Sequence, residues 1–306
     1  MPVMTYGSVP GLAVPASRCV LGTFRFHDES VFPLLDAFFA AGGNALDTAR
    51  VYGGGRSEEV IGAWLRRAGG HRPFLMAKGA HPPHCRPSEV GPEVGRTLEA
   101  LGVDRVDLYL LHRDDLTVPV AEFVDALEDE VGRGTIGAYG ASNWTRARLT
   151  AANRYARARG GRGMVAWSNH FSLAEPVASP FTGGETITRA DLRHLRDADL
   201  VLVPWSAQAS GFFSVDGPEK PYVKRSWATA ANLARRRRAA LLAERLATRT
   251  TSVALAYVLR QPVPTFPVIG PRTPAQLAGA LDALKLSLSA EQLRWLEDGS
   301  GEDPPG

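Results

Sequence analysis

Asp47, Tyr52, Lys78 and His112 each fall where a short apolar run gives out, and their side chains together could deliver a proton to a carbonyl oxygen. The runs are NALDT (44–48), PFLMAK (73–78) and VDLYLLH (106–112), with Tyr52 in the turn segment TARVYGGG after the first. Hydride reduction of an aldehyde or ketone requires a proton as charge builds on oxygen. A tyrosine hydroxyl, with an ordinary pKa near 10, is a reluctant donor at neutral pH. An ammonium beside it, from Lys78, would stabilise the phenolate left behind, and a carboxylate, from Asp47, would keep that lysine charged and in place. His112 could donate a hydrogen bond to the substrate oxygen and fix the carbonyl.

Residues so far apart in sequence meet only if their runs are parallel strands ending at one rim. The chain supplies that pattern. CVLGT (19–23) predicts a first strand. SVFPLLDAFFAAGG carries apolar residues at helical spacing and closes on Gly42 and Gly43. Helix 57–68 precedes strand 73–78, helix 88–101, with a serine cap at Ser88, precedes strand 106–112, and helix 119–131 precedes strand 135–142. Helix 145–159 leads to strand 163–169, helix 189–197 to strand 199–205, and two helical stretches between 230 and 261 to strand 265–270. A last helix spans 274–284. Eight alternating units with no linker predict one (β/α)8 TIM barrel over residues 1–298, with a disordered tail at 299–306. Catalytic groups of such a barrel sit at the carboxyl ends of its strands. A doubly wound nucleotide fold would need G-x-G-x-x-G after its first strand, and neither Gly22-Thr23-Phe24 nor Gly53-Gly54-Gly55-Arg56-Ser57 fits it. Stretches 170–188 and 206–228 read as long irregular loops on the catalytic side.

Composition narrows the classes. Hydrophobic residues at 44% and charged residues at 22% provide a sizeable core and exclude general disorder. Thirty-five basic against 32 acidic residues is too slight an excess for a nucleic-acid binder. Two cysteines make no disulfide framework, and Cys19, in an apolar run, reads as a buried thiol. With no basic-plus-apolar leader and no apolar run approaching ~18 residues, the expected location is cytoplasmic, away from the membrane.

The segment Asp47-Thr48-Ala49-Arg50-Val51-Tyr52-Gly53, followed by strand-end Lys78 and His112, resembles the aldo-keto reductase family over nearly the whole chain. That resemblance implies a barrel that binds a nicotinamide cofactor, usually NADPH (NADP+), and reduces a small-molecule carbonyl. It implies Tyr52 as general acid, Lys78 and Asp47 as the groups that tune it, and His112 as the group that orients the carbonyl. By the same resemblance Ser142 and Asn143 hold the nicotinamide carboxamide and Trp205 stacks on its ring. Ser206, Gln208, Ser210 and Gly211 lie in the loop around the pyrophosphate, and Gly270, Arg272, Thr273 and Gln276 take the adenosine end. Gly22, Thr23 and Phe24 stand beside the cofactor, with Asp47. There are departures. Ser168 stands where the family commonly has a carboxamide-gripping glutamine, and Gly279-Ala280 stands where an adenine-facing Glu-Asn pair is usual.

Each residue also has a plain structural reading: Asp47 as a turn residue, Tyr52 as loop packing, Lys78 as a solvated strand end, His112 as a core histidine, Trp205 as a core aromatic. Ser142 and Asn143 could simply cap the next helix. Their joint spacing favours the functional reading. His81-Pro82-Pro83-His84-Cys85 invites a zinc hypothesis, but no fourth ligand is evident and a stiff loop is expected, with no metal. Arg235–Arg238 reads as the solvated face of a helix. Two other functions fit parts of the pattern: a nicotinamide-binding redox sensor or accessory subunit, and a Schiff-base lyase using Lys78. Substrate specificity is expected in the two long loops and around Phe24, Phe26, His81 and Trp144. The sequence sets neither the substrate nor the oligomeric state.

Overall fold

The computed structural model describes residues 4–69, 72–214 and 220–300. Eight parallel strands are wound in sequence order: β1 (Val20–Gly22), β2 (Ala45–Asp47), β3 (Phe74–Gly79), β4 (Val106–Leu111), β5 (Ile136–Ser142), β6 (Ala166–Ser168), β7 (Val201–Leu202) and β8 (Val268–Ile269). β8 pairs with β1 through Val268–Val20 and Ile269–Leu21. The ring closes between β7 and β8, where Leu202 bridges Thr265, Leu202 N donates to Pro264 O at 2.9 Å and Phe266 N donates to Leu202 O at 2.7 Å. The result is a (β/α)8 barrel.

Successive strand residues face opposite sides, and the core divides accordingly. Phe74, Met76, Leu108, Leu110, Ala138, Ala166, Val201 and Val203 fill the barrel interior. Leu75, Ala77, Tyr109, Leu111, Tyr139, Ala141 and Trp167 face the surrounding helices. Two short antiparallel strands, Tyr6–Gly7 and Ala16–Ser17, precede β1, and Val9, Ala16 and Leu12 join the interior cluster as its floor. Gly137 makes room for that floor, since a β-carbon there would lie 2.7 Å from Leu12 Cδ2.

The helices are α1 (Phe32–Ala40), α2 (Arg56–Ala68), α3 (Pro87–Leu101), α4 (Val120–Arg133), α5 (Arg146–Ala158), α6 (Arg189–Asp197), α7 (Pro221–Trp227), α8 (Ala230–Arg245), α9 (Thr250–Leu259), α10 (Pro274–Leu281) and α11 (Ala290–Asp298). α3 and α4 end on left-handed Gly102 (φ 69°) and Gly134 (φ 77°), where L side chains would be strained. Among the described residues no helix is long and apolar enough to cross a membrane.

Several expectations need correction. α3 starts at Pro87 behind Arg86, with no side-chain cap, so Ser88 lies inside the first turn. Residues 206–228 are not wholly irregular: Ala209–Gly211 forms a 3-10 turn and α7 occupies 221–227. α11 lies beyond the eight expected units. Arg235 and Arg238 do not simply face solvent. They donate to Glu297 O and Leu296 O, giving the carbonyl end of α11 a positive cap. Of the expected tail, Gly299 donates its N–H to Trp295 O and ends α11, while residues 301–306 lie outside the described residues.

Candidate active site

Strand parity places the chemistry. Inward residues continue two by two along each strand, so Ala45 is followed by Asp47, Met76 by Lys78, Leu110 by His112, and Ala166 by Ser168. Each lies at or just past the carboxyl end of its strand, and all four therefore meet at that rim. Lys78 Nζ pairs with Asp47 Oδ1 and donates to Thr48 O at 3.2 Å. Asp47 is 3% exposed and Lys78 4%, so neither charge is shared with bulk water.

Tyr52 arrives on the 3-10 turn Tyr52–Gly55, whose three glycines have φ of 59°, 65° and 99°. At Gly55 the glycine is required twice over, because a β-carbon would stand 1.1 Å from Arg50 Nη2. That guanidinium lies beneath the turn, donating to Gly54 O at 3.2 Å and pairing with Glu58 at 2.5 Å. Glu58 is fully buried and also accepts from Thr97 Oγ1 at 2.9 Å. The Tyr52 ring then meets Phe24 edge-on at 5.1 Å and His112 at 5.8 Å, with Lys78 Nζ 5.1 Å from its centroid.

The electrostatics follow from burial and, chiefly, from the Lys78 ammonium. Burial works against the Lys78 charge, but Asp47 and then Tyr52 outweigh it, and the ammonium is held above its ordinary pKa. Burial raises Asp47, with Lys78 pulling the other way. Burial also raises the Tyr52 phenol, and again Lys78 is the main opposing influence. His112 is driven well below its usual range by burial first, then by Lys78, Arg113 and His81. It is a neutral imidazole at pH 7, and its buried Nδ1 has no partner. The site therefore combines a protonated phenol, a fixed ammonium and a neutral histidine.

Of the residues expected around a cofactor, one group gathers over β5 to β7. Ser142 pairs with Ser168 in register, and its hydroxyl donates to Ser168 O at 2.7 Å. Asn143, in left-handed conformation (φ 60°), donates to Ser142 Oγ at 2.9 Å and to His112 O at 3.1 Å. Trp205 stands at the end of β7 with its indole N–H buried and unpartnered. A second group lies farther round. Ser206, Ser210 and Gly211 belong to a run of positive φ, and Ser206 and Ser210 hydroxyls are 3.2 Å apart. Gln208 donates to Thr251 O at 3.0 Å. After β8, Thr273 accepts from Gln276 N, and Gln276 Oε1 accepts from Arg272 N at 2.8 Å, which builds the amino end of α10. A β-carbon at Gly211 or Gly270 would meet open space. The orphaned indole N–H, this open backbone and the helix amino end suit a dinucleotide. At Gly279 the space a β-carbon would take is filled by the Arg249 guanidinium, whose Nη1 would lie 1.9 Å from it.

Gly22 and Thr23 serve the framework. A β-carbon at Gly22 would stand 2.8 Å from Val268 Cγ1, and Thr23 Oγ1 bonds Asp47 O at 3.0 Å and Ser57 Oγ at 2.7 Å. Phe24 is exposed and His81 lies 5.1 Å from the His112 ring, so both line the mouth. Trp144 and Phe26 do not: both are buried, and the Trp144 indole donates to Arg113 O at 3.1 Å. Sequence reasoning missed two groups. His170, the next inward position after Ser168, contacts Trp205 at 5.2 Å with its Nδ1 unpartnered; the two-residue period was the available signal. Arg113 is the other. Cys19 and Cys85 are free and buried, both pushed up to about 12 by burial. Among the described residues no group of three His, Cys, Asp or Glu could hold a metal.

The chain is similar to known proteins along nearly its whole length. The model of the Aldo/keto reductase family matches residues 18–298. An uncharacterized oxidoreductase, YrpG, from Bacillus subtilis is 31% identical over 98% of this chain and 98% of its own. An aryl-alcohol dehydrogenase [NADP(+)] from Phanerodontia chrysosporium is 27% identical over 94% of this chain and 84% of its own. The crystal structure of a thermostable aldo-keto reductase, Tm1743, with the inhibitor epalrestat superposes with a TM-score of 0.75. It is 23% identical and covers 96% of this chain and 99% of that one, a likeness of fold.

Proposed function

The chain belongs to the aldo-keto reductase family and is a nicotinamide-dependent oxidoreductase, and from that premise we propose that it reduces aldehyde or ketone carbonyls with NADPH, using Tyr52 as the proton donor. The observation that supports this most is the buried Asp47–Lys78 pair set beneath the Tyr52 phenol with a neutral His112 against its ring.

When bound, a nicotinamide would supply the hydride for carbonyl reduction, or accept it in alcohol oxidation. The remaining work falls to side chains. Ser142, Asn143, Ser168 and Trp205 hold and orient the carboxamide and ring. His112, neutral and buried, donates a hydrogen bond to the carbonyl oxygen without adding a competing charge. Tyr52 gives its hydroxyl proton to that oxygen, and the Lys78 ammonium stabilises the phenolate that remains. Asp47 keeps Lys78 protonated against the cost of burial. The same pair disfavours a Schiff-base lyase, since a nucleophilic amine must be neutral. Arg272, exposed at the amino end of α10, is the group proposed to take the 2′-phosphate of NADPH.

The test is NADPH oxidation over aromatic aldehydes, dicarbonyls, aldoses and ketones. Turnover on one class supports the reductase reading. Tight NADPH binding with no turnover on any of them favours a sensor or accessory role instead.

A further inference from the structure

Arg113 directly follows His112, and no part of the proton-transfer scheme uses it. Its guanidinium is half-buried and folds back so that Nη1 donates to His112 O at 2.9 Å. From the segment after β6, Gly183 lies over it: a β-carbon there would stand 3.6 Å from Arg113 Nε. Its backbone is fixed from two sides, its carbonyl accepting from Trp144 Nε1 at 3.1 Å and Cys85 Sγ at 3.3 Å. The guanidinium is thus held at the mouth beside the His112 strand end.

The acids that follow it in sequence are engaged elsewhere. Asp114 takes both arms of Arg148 at 2.8 and 2.7 Å, and Asp115 accepts from the Thr117 hydroxyl at 2.6 Å. Lys78 is balanced by Asp47. Among the described residues Arg113 makes no ion pair, and one internal carbonyl is its only hydrogen-bond acceptor. Four N–H donors of a group that favours planar, two-pronged contacts are left over. Partial burial already penalises its charge, and a half-buried cation without a counter-ion is costly unless a ligand supplies one. A single guanidinium matches a monoanion; a phosphate dianion would leave one charge unbalanced in the same space.

We propose that Arg113 holds a carboxylate carried by the substrate, so that the site selects carbonyl compounds bearing an acid group, such as formylbenzoates, over their neutral analogues. This rests on the reductase reading of the same site. It adds a specificity residue and a substrate class to it.

The experiment compares 3- and 4-formylbenzoate with the corresponding formylbenzamides on the wild-type enzyme, Arg113→Met and Arg113→Lys. The expected result is a kcat/KM preference for the acids of about tenfold or more, the size of one charge-assisted contact. Arg113→Met should abolish the preference and leave the amides within about threefold, and Arg113→Lys should retain part of it. Calorimetry with 4-(hydroxymethyl)benzoate and 4-(hydroxymethyl)benzamide on NADP+-loaded protein reads the same preference without turnover. If no carbonyl compound of the screen is reduced yet calorimetry shows an acid preference that Arg113→Met removes, the reductase reading fails and the anion site stands. Equal handling of acid and amide by the wild type would overturn the proposal. So would an Arg113→Met enzyme equally impaired on both, which would make Arg113 a group that tunes Tyr52. Weaker NADPH binding in that variant, with the acid preference intact, would overturn it too.

Discussion

Replacing Asp47 with Asn removes one charge from a buried pair and leaves shape and volume nearly unchanged. Lys78, 4% exposed, would keep Thr48 O at 3.2 Å and the amide oxygen as acceptors but lose its ion-pair partner. Truncating one partner of a buried pair costs 3–5 kcal/mol as a rule, and the retained acceptors place this substitution near the lower end, at about 3 kcal/mol at neutral pH. The pH dependence carries more information. With Asp47 gone, burial is the dominant influence on Lys78, and its pKa falls below the ordinary lysine range. A lysine whose folded pKa is depressed destabilises the fold more as pH falls, because the unfolded chain takes up the proton first. Its turnover should move the other way, falling as pH rises through the new Lys78 pKa, since the neutral amine no longer stabilises the Tyr52 phenolate. Urea unfolding and kcat, each measured from pH 5 to 9, would show stability rising and turnover falling together. At pH 8 the loss in kcat should be on the order of 100-fold, the lower range of general acid catalysis. An Asp47→Asn enzyme with wild-type kcat across that range would refute the assignment of Asp47 as the group that keeps Lys78 charged.

Arg272→Ala should weaken NADPH binding by about 2 kcal/mol and NADH binding little, by fluorescence titration, if the guanidinium meets the 2′-phosphate; equal losses would place it on the adenine or the loop. Burial holds His170 at about 3, against an ordinary value near 6.5, so stability present above pH 6.5 is lost as pH falls toward 3. At pH 4.5 that loss is on the order of 2–3 kcal/mol. His170→Gln should therefore lose less stability than the wild type between pH 7 and 4.5, and parallel unfolding curves would contradict the burial argument. Exhaustive dialysis against EDTA should leave activity unchanged, because Tyr52, Lys78 and His112 supply what a catalytic metal otherwise would; a loss restored by zinc would return attention to His81, His84 and Cys85.

The barrel, and the gathering of Asp47, Lys78 and His112 at its rim, were legible because both follow from short-range pattern. Phe74, Met76 and Lys78, or Leu108, Leu110 and His112, show the two-residue period within their own strands, and the break in apolar character marks the rim. What was not legible depends on partners distant in sequence. Trp144 and Phe26 occupy connections, where no period tells inside from outside; the Trp144 ring packs against Phe123, and Phe26 joins the outer core cluster. The free charge on Arg113 is recognisable only with Arg148, 34 residues beyond Asp114, taking that acid. The three glycines after Tyr52 read as a turn, and all three have positive φ, but the Arg50 guanidinium that crowds Gly55 was not legible. The Ser289–Gln292 capping box that starts α11 is a local signal in the sequence, but it lies beyond the eighth strand–helix unit. The paired strands at 6–7 and 16–17 have two residues each, too few to show a period.

The central claim is that Tyr52 donates the proton, and single-turnover reduction by Tyr52→Phe tests it most directly. The substitution removes one oxygen and leaves the ring between Phe24 and His112. On a substrate identified by the carbonyl screen, the account predicts a fall in the hydride-transfer rate of ~10²–10⁴-fold with NADPH affinity nearly unchanged. Lys78→Met should cause a comparable loss, and the double variant little more, because the two residues act as one unit. A Tyr52→Phe enzyme that retains most of its single-turnover rate would contradict the account.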